Sequence, residues 1–259
     1  MLISVGQLVQ FFGVLPAGVL HVGAHEAEEA DEYKNYGWGH VTWVEMLPDK
    51  YAALRRRFAD DAGMTVLNAA CWDLDGVKLP VFRADNGQSS SLLRPDYHLT
   101  AHPSITFAED PQITTSRLDT ILPETSKFNF INFDIQGAEL RALRGLGTRL
   151  ADVKWAYLEV NDRRVYADCA LIGEVDDFMR KAGFSRVATT MAHSTGNESY
   201  GWGDALYFRT QHMTTPALIS LWARASAWKS YVVIDELRQN GIRAARALKR
   251  RLAGGKAKD

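Results

Sequence analysis

The residues best suited to chemistry follow short apolar runs of the sequence. The run Val19–Val22 ends at Gly23, which permits a sharp turn and close approach of the backbone to a ligand. Glu45 ends the next apolar run, 22 positions later, at the spacing of the carboxylate that binds ribose hydroxyls in dinucleotide folds. The glycine turn and the carboxylate together predict a nucleoside site.

The residues after Gly23 distinguish between nucleoside ligands. The G-x-G-x-x-G pattern that cradles pyrophosphate is missing, and Glu26, Glu28 and Glu29 would repel a diphosphate. S-adenosylmethionine has ribose, adenine and a cationic sulfonium but no phosphate, so it tolerates this acidity. We therefore predict S-adenosylmethionine rather than NAD as cofactor. The same three acids also fit the N-terminus of a following helix, whose dipole they would complement.

Two further carboxylates end neighbouring apolar runs. Asp134 directly follows Phe130–Phe133, and Glu159 lies near the end of Trp155–Val160. The carboxyl ends of parallel strands meet at one edge of a sheet, so both side chains are expected beside the glycine turn. We predict that Asp134, with a pKa raised by burial, is the general base and that Glu159 orients the acceptor; structural capping is the alternative role.

Other groups compete for these roles. Three histidines have the ordinary pKa that suits base work near neutrality, and we rank them below the carboxylates: His98, His102 and His193. Asp134, Glu159 and Asp162 are hard oxygen ligands suited to magnesium. We prefer metal-free catalysis to this arrangement.

An insertion between Trp72 and Leu122 is predicted because the strand and helix pattern pauses there. A possible hairpin at Val77–Phe82 leads into a polar stretch that is a candidate lid or acceptor-binding loop, or else a solvated excursion. We predict Ser90 and His98 of this stretch as substrate-binding residues. Trp202 is the third, placed by its flanking glycines at an exposed loop tip. Ordinary packing is the alternative role for Trp202 and for three other aromatic residues, Trp72, Tyr97 and Tyr200.

Strands must place these groups, and seven short apolar, β-branched runs predict them. They are Val19–Val22, Val41–Val44, Thr65–Leu67, Phe130–Phe133, Trp155–Val160, Phe184–Ala188 and Ala205–Phe208. Helical stretches such as Pro48–Ala59 lie between several of them. The alternation predicts an α/β fold with a mostly parallel sheet and helices on both faces.

Length and charge suggest the domain organisation. The 259 residues, 46% of them hydrophobic, predict one large domain over residues 1–210, with the insertion at about 72–122 and a basic helical extension at 211–259. Residues 222–259 hold ten basic and three acidic side chains, so the rest of the chain is acidic, which argues against nucleic acid as a partner there.

One apolar stripe is predicted on the tail (Val233, Leu237, Ala245, Leu248 and Leu252). The tail could touch an anionic membrane or a partner, or be a solvated face.

The cysteine count and the N-terminus suggest a location. Cys71 and Cys169 cannot form a disulfide framework, which suits a reducing compartment. The N-terminal apolar stretch is interrupted by polar, glycine and proline residues and has no basic leader, so neither export nor a membrane span is predicted. We expect a cytoplasmic protein.

Six segments, in order along Val19–Asn161, resemble the FkbM family of S-adenosylmethionine-dependent methyltransferases. They are His21–His25, Trp43–Glu45, Asn68–Cys71, Ser89–Leu92, Thr115–Asp119 and Asn132–Leu140, the last being the most specific together with Leu118 and Asp119. The resemblance implies a Rossmann-like class I methyltransferase fold with seven strands. It also implies O-methylation, commonly of a sugar hydroxyl in a glycan, glycolipid or natural product.

The resemblance also implies roles by position. Gly23 and His25 would line the methionine side of the cofactor, Glu45 would hold the ribose, and Met46 and Cys71 would flank adenine. The family usually has Asp at the position of His21 and often Gly at that of Ala27. Because His21 departs from the pattern, Glu26 or Glu28 could bind the methionine ammonium instead.

Two other functions fit the same fold. A non-catalytic nucleoside- or glycan-binding module is possible because fold alone does not establish function. An NAD-dependent sugar oxidoreductase is disfavoured by the missing glycine pattern.

Overall fold

The computed structural model describes residues 1–193 and 198–254, with side chains described as far as residue 234. The chain forms two compact units, Met1–Met213 and Thr214–Asp259. The tail stripe predicted on Leu237, Ala245, Leu248 and Leu252 lies outside the described side chains.

A seven-stranded sheet forms the centre of the first unit. Ten strands are described in chain order: β1 Val19–Val22, β2 Val41–Glu45, β3 Met64–Asn68, β4 Ala70–Cys71, β5 Lys78–Ala84, β6 Phe107–Ser116, β7 Phe130–Phe133, β8 Trp155–Asn161, β9 Phe184–His193 and β10 Ser199–Arg209. The order in the main sheet is β3-β2-β1-β7-β8-β10-β9. All neighbours are parallel except β10, which runs antiparallel to both β8 and β9. The predicted α/β fold and its seven strands are confirmed.

Helices cover both faces of this sheet. Eight are described: α1 Val5–Phe12, α2 Ala30–Asn35, α3 Pro48–Arg57, α4 His98–Ala101, α5 Leu118–Ile121, α6 Glu139–Gly145, α7 Ile172–Lys181 and α8 Thr215–Gly254. Leu20 and Val22 of β1 pack in one core with the apolar residues of α5, α6 and α7. On the opposite face, Tyr33 of α2 stacks on Trp43 of β2. Alternating side chains along each strand therefore enter two separate cores.

The insertion builds a small second sheet of order β4-β6-β5. The predicted hairpin at Val77–Phe82 is wrong, because β5 pairs antiparallel with β6, after the connection of residues 85–106. Pairing between strands so far apart in sequence leaves no local turn signal to read.

Two further expectations need correction. The helix expected directly after Gly23 begins only at Ala30, so the acidic residues before it lie in turns rather than in a helix. Trp202 lies within β10 and pairs with Asn161 of β8, not at a loop tip. Gly201 has a φ of 89° beside an irregularity in the β9–β10 pairing, which explains why the sequence resembles a loop there.

The second unit is dominated by α8, a helix of 40 residues. Within the described part of the chain, no helix combines the length and the apolar character that crossing a bilayer needs.

A large-to-small substitution tests the central packing. Phe133 of β7 is fully buried in the core that β1 and α6 share. Phe133→Ala should lower the free energy of unfolding by about 3 to 5 kcal/mol, because it removes the transfer free energy and leaves a cavity. Chemical denaturation measures this loss. Leu74→Ala, at a site 58% exposed, is the control and should change stability by less than about 0.5 kcal/mol; equal losses would contradict the described core.

Candidate active site

The ends of three parallel strands meet at Gly23. Its φ is 88°, and a Cβ built on it would lie 1.8 Å from the backbone carbonyl oxygen of Asp134. The Gly23 N–H donates to the carbonyl of Val44 at 2.9 Å, and the Asp134 N–H donates to that of Val22 at 3.0 Å. The glycine is thus required by the neighbouring backbone, and not only by a ligand as the sequence suggested.

Glu45, at the end of β2, is held by backbone donors. Its carboxylate accepts the N–H groups of His25 at 2.7 Å and Leu47 at 2.8 Å. The side chain is 6% exposed, and burial raises its pKa. These bonds fix the carboxylate in one orientation on the rim of the sheet, and each oxygen keeps a lone pair for a ligand.

A cavity of about 520 Å³, its mouth included, opens beside this carboxylate. We call it the cofactor cavity. Six of the seven residues predicted to bind cofactor line it: Gly23, His25, Glu45, Met46, Cys71 and Asp134. Apolar walls come from Leu47, Leu92, Ile135 and Ala138. Its mixture of apolar walls with few polar groups is typical of small-molecule sites.

His25, which lines this cavity, forms a pair with Glu28. His25 Nδ1 lies 2.7 Å from Glu28 Oε1, and Gln88 donates to the same oxygen at 3.1 Å. The bond from His25 lowers the pKa of Glu28 to about 2. The Nε2 atom of His25 is buried without a protein partner, so a ligand could satisfy it. The φ of His25, 45°, shows that the loop holds this residue in a strained conformation.

Two residues depart from the family pattern, Ala27 and His21. Ala27 has a φ of 55°, in the left-handed region that glycine adopts at little cost. His21 is buried, with Nδ1 3.2 Å from the Tyr33 hydroxyl and 3.3 Å from the Asn132 amide nitrogen. Burial lowers its pKa. Hydrogen bonds within the core therefore already satisfy that nitrogen of His21.

A second, larger cavity of about 1240 Å³, the solvent at its mouth included, adjoins the first. We call it the outer cavity. Four residues line both cavities: Gly23, His25, Gln88 and Asp134. The outer cavity also contains Glu28, which is absent from the lining of the cofactor cavity. A group held at the shared wall would be reachable from both sides.

Gln136 links the two carboxylates that the sequence predicted to be catalytic. Its Nε2 donates to Asp134 Oδ1 at 2.7 Å and to Glu159 Oε2 at 2.8 Å, and its Oε1 accepts from the Tyr166 hydroxyl at 2.8 Å. Sequence reasoning assigned no role to Gln136, although it stands two residues after Asp134. Its side chain holds Asp134 and Glu159 at one place on the rim.

The burial of the two carboxylates is the reverse of the sequence expectation. Asp134 is exposed to the cavities, so the expectation that it is buried is wrong. Glu159 is 4% exposed, and burial together with the Asp134 charge raises its pKa well above the ordinary value. Glu159 is therefore the carboxyl that tends to hold a proton.

Asp204 is a further buried carboxylate that sequence reasoning missed. It lies opposite Glu159 in the β8–β10 pairing and lines the outer cavity. It accepts the Leu2 N–H at 2.5 Å and the Tyr157 hydroxyl, and burial raises its pKa to about 6. Only the strand register brings it to this place, so the sequence offered no direct signal.

The insertion supplies the far wall of the outer cavity. His98 and His102 of the insertion line this cavity, and so does Trp202 of β10. His98 is 3% exposed, its Nδ1 has no protein partner, and burial lowers its pKa to about 4. Ser90 instead lines the cofactor cavity, where its hydroxyl donates to the Gly87 carbonyl at 2.9 Å. The substrate-binding residues predicted from the sequence thus divide between the two cavities.

Several other candidates lie outside both cavities. Trp72 packs against Leu47 and Ala138, and Arg141 covers its ring. The remaining three are Tyr97, beneath Arg163; Tyr200, against the ring of His102; and His193, at the exposed end of β9. Among the described residues no group of three or more His, Cys, Asp or Glu side chains is arranged to hold a metal ion. Asp162 bonds instead to Ser199 and lies beside Arg163.

The strand order and the antiparallel β10 are those of the Rossmann-like class I methyltransferase fold. Residues 21–186 match the model of the methyltransferase FkbM domain, and the chain belongs to that family. It is therefore a methyltransferase, and S-adenosylmethionine is its cofactor. The buried Glu45 carboxylate, the unpartnered His25 Nε2 and the cavity between them fit this cofactor.

Solved methyltransferase structures are similar to this chain at low identity. Sp1610 of Streptococcus pneumoniae, a candidate tRNA (m1A22) methyltransferase, is 15% identical with a TM-score of 0.47, covering 98% of this chain and 88% of that one. The Burkholderia thailandensis 1,6-didemethyltoxoflavin-N1-methyltransferase is 12% identical with a TM-score of 0.44, covering 79% and 76%. Magnesium protoporphyrin IX methyltransferase from Synechocystis PCC 6803 is 12% identical with a TM-score of 0.42, covering 74% and 69%. No curated protein matches the chain.

Removal of the Glu45 carboxylate tests the cofactor cavity. Glu45→Ala should weaken S-adenosylhomocysteine binding by about 10- to 100-fold, because a hydrogen bond to a charged group is worth about 1.5 to 3 kcal/mol. Calorimetric titration measures the affinity, and a melting curve checks folding. Glu109→Ala, on the exposed surface of β6, is the control and should bind as the wild type does. An unchanged Kd for Glu45→Ala would show that the ribose lies elsewhere.

The burial of Asp204 predicts a pH dependence of stability. A carboxyl whose folded pKa is about 6, above its ordinary 3.8, favours folding at low pH and loses this contribution as pH rises to about 6. The full loss is about 3 kcal/mol, of which about 1 kcal/mol falls between pH 5 and pH 8. Relative to the wild type, Asp204→Asn should therefore gain about 1 kcal/mol in unfolding free energy over that interval.

Urea denaturation at the two pH values measures this gain. Asp75→Asn is the control, because hydrogen bonds from the Arg117 N–H and the Thr120 hydroxyl lower the pKa of Asp75, which is the opposite shift. That variant should show no gain at high pH. The burial argument fails if Asp204→Asn follows the pH dependence of the wild type.

Proposed function

We propose that this protein transfers the methyl group of S-adenosylmethionine to a hydroxyl of a sugar, in a glycan, a glycolipid or a natural product. The observation that carries the proposal is the position of Asp134, which lines both cavities and is the carboxylate exposed at their shared wall. A donor in the cofactor cavity and an acceptor in the outer cavity would meet beside it.

The cofactor supplies an electrophilic methyl group on a cationic sulfur. The protein must align the acceptor oxygen with that group and accept a proton. Glu45 would hold the ribose, Met46 and Cys71 would flank adenine, and Gly23 and His25 would line the methionine part. Glu28, itself paired with His25, would complement the positive charges of the bound cofactor.

Asp134 is the general base in this proposal. Gln136 bonds to its Oδ1, which leaves Oδ2 to accept the proton of the acceptor hydroxyl. The same amide holds Glu159, which would orient the acceptor. A proton held on Glu159 would reduce the repulsion between these two carboxyl groups.

The lining of the outer cavity favours a neutral polyol over a phosphorylated acceptor. None of its described lining residues is Lys or Arg, whereas phosphate binding depends on such side chains. Asn86, Gln88, Ser89 and Gln136 offer hydrogen-bonding groups of the kind that sugar hydroxyls use, and Trp202 offers a flat wall. We therefore propose a carbohydrate acceptor and no nucleic acid partner.

We also propose that the protein is located in the cytoplasm. Cys71 and Cys169 are both free and buried, which accords with a reducing compartment such as the cytoplasm. There the protein would have access to an intracellular methyl donor.

The acceptor can be found by mass spectrometry. Glycans, glycolipids and secondary metabolites from cells lacking this gene should contain a sugar that is one methyl group lighter than in the wild type. The isolated material should accept one methyl group from S-adenosylmethionine on an oxygen when the purified protein is added. Methylation on nitrogen, or on a non-sugar product, would contradict the proposed acceptor while leaving the methyltransferase activity in place.

Asp134→Asn tests the base. With the isolated acceptor, the variant should lose about 10²- to 10⁴-fold in kcat, while its affinity for S-adenosylhomocysteine changes little. Asp177→Asn, exposed on α7 and paired with Arg180, is the matched control and should keep full turnover. Normal turnover by Asp134→Asn would remove Asp134 from the mechanism. A wild type that binds cofactor but never transfers methyl would favour the non-catalytic binding module.

A further inference from the structure

The first part of α8 presents apolar side chains to solvent. Ile219, Trp222, Val233 and Ile234 are between 48% and 65% exposed. Leu221, Ala225 and Trp228, on another side of the same helix, are buried. Trp222 is the most exposed of the seven tryptophans, since the others are buried or partly buried. Large apolar side chains grouped in this way on a surface mark interaction sites.

The exposed apolar residues follow helical spacing. Trp222 comes three positions after Ile219, and Val233 comes 14 positions after Ile219, which is two heptads. Ser226 and Ser230 occupy the intervening turns of this face, and the Ser230 hydroxyl donates to the Ser226 carbonyl at 3.1 Å. Because that hydroxyl bonds within the helix, it can enter a less polar environment without losing its partner.

The charges around this face have one sign. From Thr210 to Ile234 the sequence contains no acidic residue, and its two basic residues are Arg224 and Lys229. Both are exposed. The sequence of residues 235–259 adds eight basic and three acidic residues. An apolar face with basic flanks complements an anionic lipid surface, where aliphatic and tryptophan side chains enter the boundary between headgroups and acyl chains.

We propose that the exposed face of α8, defined by Ile219, Trp222, Val233 and Ile234, binds the surface of a bilayer that contains anionic lipids. The helix would lie in the interface with these side chains among the headgroups and with Arg224 and Lys229 near the lipid phosphates. The alternative is that a second copy of this chain binds this face, and the experiments below distinguish lipid binding from self-association. The proposal does not depend on the identity of the methyl acceptor.

Vesicle flotation with the full-length protein tests the proposal. We expect at least a tenfold greater bound fraction with phosphatidylcholine vesicles containing one quarter phosphatidylglycerol than with pure phosphatidylcholine. Raising NaCl from 0.1 to 0.5 M should reduce binding, because the Debye length falls as salt increases. No binding to the anionic vesicles at 0.1 M NaCl would overturn the proposal.

Substitutions locate the binding face. The double variant Ile219→Glu with Trp222→Glu should lose at least tenfold in vesicle binding, while S-adenosylhomocysteine affinity and the far-ultraviolet circular dichroism spectrum stay unchanged. Leu15→Glu, at a site 63% exposed outside α8, is the matched control and should keep vesicle binding. Equal binding by the double variant and the wild type would overturn the assignment of the face.

The fluorescence of Trp222 measures how deeply this side chain enters the bilayer. Brominated lipids should quench part of the tryptophan fluorescence of the wild type on anionic vesicles. Trp222→Phe, which stays apolar, should bind the vesicles but lose most of that quenching. Sedimentation velocity without lipid identifies the other occupant: a dimer that Ile219→Glu converts to monomer, combined with no vesicle binding, would assign this face to a second copy and overturn the lipid proposal.

Discussion

The close approach of β1 and β7 at Gly23 is the constraint on which the site depends. A side chain at Gly23 would meet the carbonyl of Asp134, so only glycine lets these strand ends meet at this distance. Their meeting puts Glu45 on one side and Asp134 on the other of a single rim. The strained conformations of His25 and Gln136 occur in the loops that leave these strands. Backbone strain is thus concentrated where ligand groups must be placed.

The carboxyl groups around the rim have an energetic cost. Burial raises the pKa values of Glu45, Glu159 and Asp204, which means that the folded chain disfavours their charged forms. Glu139 belongs to the same set: it accepts the N–H groups of Ile135 and Gly137, and burial raises its pKa to about 7. A bound cation would offset this cost, and the cofactor of this family carries positive charge on its sulfur.

The sequence predicts residues of the cofactor cavity better than those of the outer cavity. The residues predicted for the cofactor cavity come from strand ends and the turns after them, where short apolar runs and glycines indicate their positions. The outer cavity combines β10, β8 and the insertion, and its members are brought together by pairing between distant segments. The position of Asp204 follows from the register of β10 against β8. The position of Gln136 follows from the path of a turn in which its φ is 54°. No local pattern encodes either position, because both depend on long-range contacts.

The sequence by itself determined the α/β class, the seven main strands, and Gly23 and Glu45 as members of a nucleoside site; His25, Met46 and Cys71 were assigned by the resemblance to the family. These features follow from local periodicity and from glycine and carboxylate spacing, which act over a few residues. Only the tertiary structure decided that Asp134 is exposed and Glu159 buried, that Ser90 belongs to the cofactor cavity, and that β5 pairs with β6. Burial and strand pairing depend on which segments pack together, and the free energy of that packing is a property of the whole fold.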